Sequence, residues 1–296
     1  MAGRYPIMTH LFCFGLGYSA LRLARIGAAQ GWTISGTART AVGAERIAAE
    51  GFYPFIFDGR APGPGVADAL ASATHVLVSV PPKEEGDPVL RHHTADLHAA
   101  SSLAWVGYLS TVGVYGDRQG GWVDETSETQ PISQRSRRRL AAEDAWNAFG
   151  ARTNRPVHIF RLAGIYGPGR SAIDRLQDGT AQRIVKPGQV FNRIHVDDIA
   201  AIINAAIAGH GTKQVYNVTD DEPAPPQDVI AFAADLLHMP PPPEIPFKEA
   251  ELSLLAASFY ADNKRVSNAR LREDLGVQLK FPNYRDGLRA IAAPKL

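Results

Sequence analysis

The first 110 residues alternate short apolar runs with alanine-rich amphipathic stretches, and this alternation restricts the fold more than any other feature. The apolar runs predict strands at residues 9–14, 32–37, 53–57, 75–80, 105–109 and 157–162. The stretches between them predict helices at 19–30, 41–50, 65–71, roughly 88–101, and one that ends near Gly150. Nearly continuous apolar strands alternating with helices are typical of parallel strands covered on both faces. The sequence therefore predicts an α/β protein with a doubly wound parallel sheet of about seven strands.

The alternation of strands and helices ends beyond residue 165, and prolines cluster at 223–226 and 240–246. Proline lacks a backbone N–H and fixes its own φ, so these clusters are expected to exclude regular helices and central strands. We predict a larger sheet domain over residues 1–165, to which 193–220 returns. Residues 166–192 and 221–296 are predicted to form a smaller, irregular lobe.

A glycine-rich turn joins the first predicted strand to the first predicted helix, with the sequence Gly15-Leu16-Gly17-Tyr18-Ser19-Ala20. The first glycine permits a tight turn, the second lets backbone approach a pyrophosphate, and the small third residue lets the helix pack closely on the strand. The helix N-terminus then offers unpaired N–H groups to phosphate. The strand–turn–helix context favours dinucleotide binding by the sheet domain, and a plain tight turn is the alternative.

The end of the second predicted strand indicates which dinucleotide is bound. Sites for NAD usually have a carboxylate there, which accepts a hydrogen bond from the ribose 2′-hydroxyl. Here the segment contains no carboxylate, and Arg39 stands where a guanidinium could bind a 2′-phosphate. We therefore predict NADP as cofactor, with NAD as the alternative and Arg39 as a solvated loop residue in that case. Asp58 is a candidate for binding the adenine amine, or a turn-forming residue before Gly59.

Four later segments carry a resemblance to a known family: residues 108–117, 161–170, 193–200 and 215–218. Their order and spacing resemble the extended and atypical short-chain dehydrogenase/reductases, also called the NAD(P)-dependent epimerase/dehydratase group, over roughly residues 9–290. The resemblance implies that Thr111, four residues before Tyr115, hydrogen-bonds the reacting carbonyl or hydroxyl. Ser110 and Thr111 also end a predicted strand, where open α/β sheets bind ligands, although such hydroxyls can merely satisfy strand-end backbone.

The resemblance assigns roles to further positions. It places Leu162, Ala163 and Gly164 beside the nicotinamide end of the cofactor. Arg170 follows a rigid Gly-Pro-Gly turn and could face substrate. His195 and Asp198 match residues that position loops of the substrate lobe, and His195 is interpreted as structural or substrate-binding rather than catalytic.

The chain departs from the family pattern at the catalytic pair, Tyr-x-x-x-Lys, in which lysine lowers the tyrosine's pKa. The two positions fall on Arg135 and Arg139, and an arginine stays protonated throughout the useful pH range. The atypical subgroup without this pair therefore fits better. On sequence grounds, Tyr115 and Tyr166 are the nearest candidates to supply the proton.

The run of arginines that contains these two positions has two interpretations. Arg135, Arg138 and Arg139 share one helix face and could clamp a carboxylate or phosphate of the substrate. Alternatively the run is a solvated basic surface that pairs with Glu143 and Asp144 one turn later. The run is too short, and the net charge of +1 too balanced, to indicate nucleic acid.

Composition limits the remaining classes of function. No apolar run reaches the roughly 18 residues of a membrane span, and residues 1–6 lack the layout of a secretory signal, so a soluble, cytoplasmic protein is expected. The single cysteine, Cys13, is interpreted as a buried hydrophobe, and no metal site is predicted. Two functions remain: an NADP-dependent oxidoreductase or epimerase-like enzyme acting on a small sugar- or acid-type substrate, or a non-catalytic NADP-binding regulator. Either is compatible with a homodimer.

Overall fold

The computed structural model describes residues 9–293, so the expectation about residues 1–6 falls outside the described part of the chain. The strands are β1 (His10–Phe14), β2 (Thr33–Ala38), β3 (Tyr53–Ile56), β4 (His75–Val78), β5 (Trp105–Thr111), β6 (Trp122–Val123), β7 (Val157–Leu162), β8 (Gly164–Tyr166), β9 (Arg183–Val185), β10 (Arg193–His195), β11 (Val215–Val218), β12 (Glu244–Pro246) and β13 (Arg265–Val266). The α-helices are α1 (Tyr18–Ala29), α2 (Ala41–Ala49), α3 (Val66–Ser72), α4 (Pro88–Ala99), α5 (Gln134–Thr153), α6 (Ala172–Gln177), α7 (Val196–Ile207), α8 (Pro226–Leu236), α9 (Leu254–Tyr260), α10 (Ala269–Glu273) and α11 (Tyr284–Ala292).

Seven strands form one sheet in the order β11-β7-β5-β4-β1-β2-β3. The first strand, β1, lies between β2 and β4 and pairs in parallel with both, with Phe12 opposite Ser35 on one side and Val76 on the other. Strands β2 and β3 thus lie on one side of β1, and the later strands β4, β5, β7 and β11 lie on the other side. The predicted doubly wound parallel sheet is confirmed.

Buried apolar side chains hold helices against this sheet. Phe12 and Phe14 of β1 are fully buried and pack with α3, α4 and α5, where Leu70, Val89 and Trp146 are also inaccessible. Leu11 and Cys13, which point to the other face of β1, are also fully buried, so the near-continuous apolar strands of the sequence reflect burial on both faces. Cys13 is buried, as predicted, and burial raises the pKa of its thiol.

The chain divides into two compact units. The first contains the described residues up to Ser110, together with Arg138–Phe160 and Ala200–Val215. The second contains Thr111–Arg137, Arg161–Ile199 and the described residues from Tyr216 onward. A separate apolar core in the second unit is formed by α6, α8 and α11, with Ile173, Ile230 and Leu288 at its centre. The second unit therefore begins earlier in the chain than the lobe predicted from residue 166.

Two local predictions are wrong for identifiable reasons. The prolines at 225 and 226 do not exclude a helix, because α8 begins at Pro226, and the first helical position needs no N–H donor. Helix α5 continues past Gly150 to Thr153. A Cβ on Gly150 would lie 2.7 Å from Val157 Cγ2, so this glycine serves close packing inside the helix rather than its termination.

Within the described residues, none of the helices combines the length and the apolar character needed to cross a membrane.

Candidate functional site

The glycine turn after β1 leaves the N-terminus of α1 open. Gly15 has φ +83°, a left-handed conformation that glycine adopts without strain. Gly17 is the N-cap residue of α1, and no side chain caps the helix. The first turn contains no acidic residue. The N–H groups at the start of a helix have no partner inside the helix, so those at Ser19 and Ala20 are available to an external acceptor.

Space and packing at the turn also match the sequence prediction. A Cβ built on Gly17 would meet nothing within 4 Å, whereas one on Gly15 would lie 3.0 Å from Val80 Cγ1. Ala20 is fully buried and Ser19 nearly so, which keeps the first turn of α1 close to the sheet. The open side of the turn is therefore the side at Gly17.

The end of β2 holds the glycine turn in place, which the sequence reasoning missed. Thr37 Oγ1 accepts a hydrogen bond from the Gly15 N–H at 2.8 Å, and the Thr37 carbonyl accepts one from the Leu16 N–H at 2.9 Å. A Cβ on Gly36 would lie 2.7 Å from Leu16 Cβ, so only glycine allows this approach. These contacts join residues twenty or more positions apart, so no local sequence motif predicts them.

Arg39 lies just beyond the end of β2 and is exposed. Among residues 9–293 its guanidinium has no hydrogen-bond or ion-pair partner, so an external anion would not have to displace one. Asp58 accepts a hydrogen bond from the Arg60 N–H at 2.9 Å across Gly59, whose φ is +74°. This geometry favours the turn-forming interpretation of Asp58 over adenine binding.

The residues present fit a dinucleotide. The open side at Gly17 accommodates phosphate, the uncapped helix N-terminus supplies N–H donors, and Arg39 supplies an exposed positive charge. No carboxylate of β2 or of the first turn of α1 opposes negative charge there.

Two hydroxyls flank Gly113 at the start of the second unit. Thr111, the last residue of β5, accepts a hydrogen bond from the Gly113 N–H at 3.1 Å through Oγ1. A Cβ on Gly113 would lie 2.7 Å from Ser136 Oγ and 3.4 Å from Thr111 Oγ1. Ser136 Oγ in turn accepts a hydrogen bond from the Ser133 hydroxyl at 2.9 Å. Ser136 was missed from the sequence because its proximity to Thr111 arises only in the fold.

Ser110, the neighbour of Thr111, points elsewhere. Its hydroxyl donates to the carboxylate of Glu143, and both side chains are buried. The prediction that Glu143 belongs to a solvated basic surface is wrong, because this carboxylate lies against the sheet. Burial and the carboxylate contact favour a structural role for Ser110.

The arginines of α5 do not converge on one ligand. Arg139 donates to the Leu109 carbonyl at 2.7 Å, and its guanidinium lies over the ring of Tyr108. Arg138 forms an ion pair with Glu84 at 3.5 Å. Arg135 lies over the ring of Phe259, with 5.9 Å between Cζ and the ring centroid. Three different partners argue against the predicted clamp.

Both tyrosines proposed as proton donors are held in structural contacts. The Tyr115 hydroxyl donates to Asn217 Oδ1 at 2.7 Å and accepts from Arg161 at 3.0 Å, and the side chain is fully buried. Tyr166 is buried, and its hydroxyl donates to the Asn283 carbonyl at 3.4 Å. Burial raises the pKa of each phenol, and the carboxylates of Asp220 and Asp198 raise that of Tyr166 further. These hydrogen bonds and the raised pKa values argue against both assignments.

The residues predicted beside nicotinamide, and Arg170, form backbone hydrogen bonds within the second unit or are buried there. The N–H groups of Ala163 and Gly164 donate to the carbonyls of Val218 and Asn192, each at 3.0 Å, and Leu162 is buried. Their predicted position beside nicotinamide stays a prediction. Arg170 is exposed and closes the Gly-Pro-Gly turn through a backbone hydrogen bond to Gly167.

His195 is a buried ring in a packed cluster. Its Nδ1 accepts from the Asp197 N–H at 3.2 Å, and its ring lies 4.1 Å from that of Phe281, measured between centroids. This favours the structural interpretation of His195. Among the described residues, no group of histidine, cysteine and acidic side chains is arranged to hold a metal ion.

Asp198 joins α7 to the segment at 280–281. One carboxylate oxygen accepts from the Lys280 N–H at 2.7 Å and the other from the Phe281 N–H at 3.1 Å. Asp198→Asn would turn one oxygen into an N–H donor facing a backbone N–H. We expect the free energy of unfolding, measured with urea, to fall by about 2 kcal/mol. Asp197→Asn removes the same charge from a more exposed neighbour, and an equal loss there would contradict this explanation.

Comparisons with known proteins agree with this fold. Residues 91–219 match the model of the NAD dependent epimerase/dehydratase family. A conserved protein of unknown function from Silicibacter pomeroyi DSS is 49% identical, with a TM-score of 0.87 over 96% of this chain and 98% of that chain. A structure described as an NAD-dependent epimerase/dehydratase from Methylobacillus flagellatus is 28% identical, with a TM-score of 0.70 over 96% and 97% of the two chains.

The curated relatives include Protein YeeZ of Escherichia coli strain K12. It is 26% identical over 281 residues, which are 91% of this chain and 95% of that protein. The agreement extends over nearly the whole chain in both the sequence and the structural comparisons. The family model covers all four segments from which the family resemblance was inferred. The chain is therefore similar to the NAD-dependent epimerase/dehydratase family, whose model it matches over residues 91–219.

Proposed function

We propose that this protein is an NADP-dependent oxidoreductase or epimerase-like enzyme that acts on a carbonyl or hydroxyl group of a small sugar- or acid-type substrate. The observation that carries the proposal is the open N-terminus of α1 behind a glycine turn, together with the exposed guanidinium of Arg39 at the end of β2. The family is NAD-dependent, and the preference for the 2′-phosphorylated form rests on Arg39 alone.

The roles of the cofactor-binding residues follow from their chemistry. The N–H groups at the start of α1 bind the pyrophosphate, and Gly17 leaves the room for it. Arg39 binds the 2′-phosphate through charge-assisted hydrogen bonds. The bound cofactor supplies or accepts a hydride at its nicotinamide ring. What this chain must add is orientation of the reacting oxygen and a proton for it.

Thr111 orients the reacting oxygen in this proposal. Its Oγ1 accepts one backbone hydrogen bond, which fixes the hydroxyl and leaves its own proton to donate. Ser136 is proposed to relay the proton because it is only half-buried, whereas both tyrosine hydroxyls are buried and hydrogen-bonded to Asn217 and Asn283. Its Oγ accepts from Ser133, so a proton given to the substrate oxygen can be replaced through Ser133 from water.

The test of this proposal is turnover with reduced cofactor. Purified protein is incubated with NADPH and a panel of small aldehydes and ketones, half of them carrying a carboxylate, while the absorbance of reduced nicotinamide is followed. The proposal predicts consumption of NADPH with at least one class of carbonyl compound. Anionic members are expected to react better if Arg170 faces the substrate.

Ser136→Ala separates the proton step from binding. We expect kcat to fall about 100-fold on the best carbonyl substrate, because a positioned proton donor contributes this much or more. The dissociation constant for NADPH should not change, since Ser136 is not among the residues proposed to bind the cofactor. Ser133→Ala should lower kcat less. An unchanged kcat in Ser136→Ala would remove Ser136 from the mechanism.

A second candidate function is a non-catalytic NADP-binding regulator. It is favoured by one specific observation: the positions of the family's tyrosine and lysine hold Arg135 and Arg139, which contact Phe259 and the Leu109 carbonyl. Tight NADPH binding with no turnover on the whole panel, in both directions, would favour this function over the enzyme.

A further inference from the structure

Thr37 makes two hydrogen bonds to the glycine turn and is almost completely inaccessible to solvent. Its hydroxyl oxygen accepts from the Gly15 N–H at 2.8 Å, and its carbonyl accepts from the Leu16 N–H at 2.9 Å. A single residue of β2 therefore satisfies two consecutive N–H groups at the start of the turn. The next N–H, that of Gly17, bonds to the Gly15 carbonyl at 2.8 Å, within the turn itself.

This arrangement decides which N–H groups are left for a ligand. With the groups of residues 15, 16 and 17 already paired, the donors considered for a ligand are those of Ser19 and Ala20 in the first turn of α1. The turn packs closely against its neighbours, since a Cβ on Gly36 would lie 2.7 Å from Leu16 Cβ and one on Gly15 would lie 3.0 Å from Val80 Cγ1. Among the contacts that hold the turn, the Thr37 hydroxyl contributes the side-chain hydrogen bond, to the Gly15 N–H.

We propose that Thr37 is a positioning residue for the pyrophosphate: its hydroxyl fixes the glycine turn so that the first-turn N–H groups of α1 aim at the phosphates. The inference rests on the proposed binding of a dinucleotide. Thr37 itself touches no phosphate, since its hydroxyl is buried and bonded to Gly15. It acts through the turn, whereas Arg39, two residues later, acts on the 2′-phosphate directly.

Thr37→Val removes the hydroxyl and keeps the shape of the side chain. The Gly15 N–H then loses its acceptor, and the glycine turn loses the hydrogen bond that holds it to β2. We therefore expect about 10-fold weaker binding of both NADPH and NADH. Adenosine 2′-monophosphate, which carries the 2′-phosphate but no pyrophosphate, should bind the variant as it binds the wild type. Arg39→Ala should give the opposite pattern, with weaker NADPH and 2′-monophosphate and unchanged NADH.

Two further variants separate positioning from general damage. Thr37→Ser retains the hydroxyl and should restore the affinity for both dinucleotides. Thr33→Val makes the same chemical change at the start of the same strand and should leave all three affinities unchanged. Thermal unfolding of each unliganded variant shows whether it is folded at the titration temperature.

The possible outcomes are distinct. Wild-type affinity of Thr37→Val for both dinucleotides would overturn the positioning role, and so would equal weakening of all three ligands, which would indicate loss of structure. If the wild-type protein bound neither dinucleotide, the proposed function itself would fail.

Discussion

Arg39→Asp is expected to weaken NADPH binding about 100-fold or more, because it removes a charge-assisted contact and places a carboxylate beside a phosphate. Binding of NADH should stay the same or improve, since a carboxylate at this position can accept from the ribose 2′-hydroxyl. The measurement is a pair of equilibrium titrations that follow nicotinamide fluorescence. Arg39 is exposed and has no partner among residues 9–293, so the substitution should leave stability nearly unchanged.

A matched control uses an arginine outside the proposed site. Arg152→Asp makes the same charge change on an exposed position of α5. Because surface charges are screened over about 10 Å in ordinary buffers, it should shift both dissociation constants by less than about 2-fold. If Arg39→Asp behaved like Arg152→Asp, the guanidinium would have no part in choosing the cofactor.

Gly17→Asp should stabilise the protein and abolish dinucleotide binding. Gly17 has extended backbone angles and open space around its Cβ, so an aspartate fits there and can cap α1. Relative to glycine, a capping aspartate contributes only a few tenths of a kcal/mol, which raises the melting temperature by about 1 °C at this size. The same carboxylate occupies the space proposed for the pyrophosphate and repels it. We expect at least about 100-fold weaker binding of both NADPH and NADH.

Gly17→Asn separates charge from bulk. Asparagine caps a helix about as well as aspartate but carries no charge. It should give a similar gain in melting temperature and a smaller loss of affinity than Gly17→Asp. Undiminished affinity in Gly17→Asp would place the phosphates somewhere other than the N-terminus of α1.

Sequence patterns predicted the fold and the outline of the cofactor site for a clear physical reason. Strand burial, helix periodicity and the glycine turn are local properties, so they can be read from residues adjacent in the chain. The strand β5 and the turn at Gly15 are examples. Where a prediction failed, a local rule had an exception, as at Pro226, where the first position of a helix tolerates proline.

The contacts that the sequence did not reveal join distant segments. Thr37 supports Gly15 across β2, Ser136 reaches Gly113 from α5, and Glu143 turns inward to Ser110. Nothing in the local sequence distinguishes these residues from ordinary surface serines, threonines and glutamates. The same limitation explains the assignment of Tyr115. The sequence pattern predicted a proton donor, whereas in the structure its hydroxyl donates to Asn217.

The central claim is that the glycine turn and Arg39 together bind a 2′-phosphorylated nicotinamide dinucleotide. Titration of the purified wild-type protein with NADPH and NADH, followed by nicotinamide fluorescence, tests it directly. Saturable binding is predicted for NADPH, with a dissociation constant at least about 10-fold below that for NADH. Tighter binding of NADH, or no saturable binding of either, would contradict it.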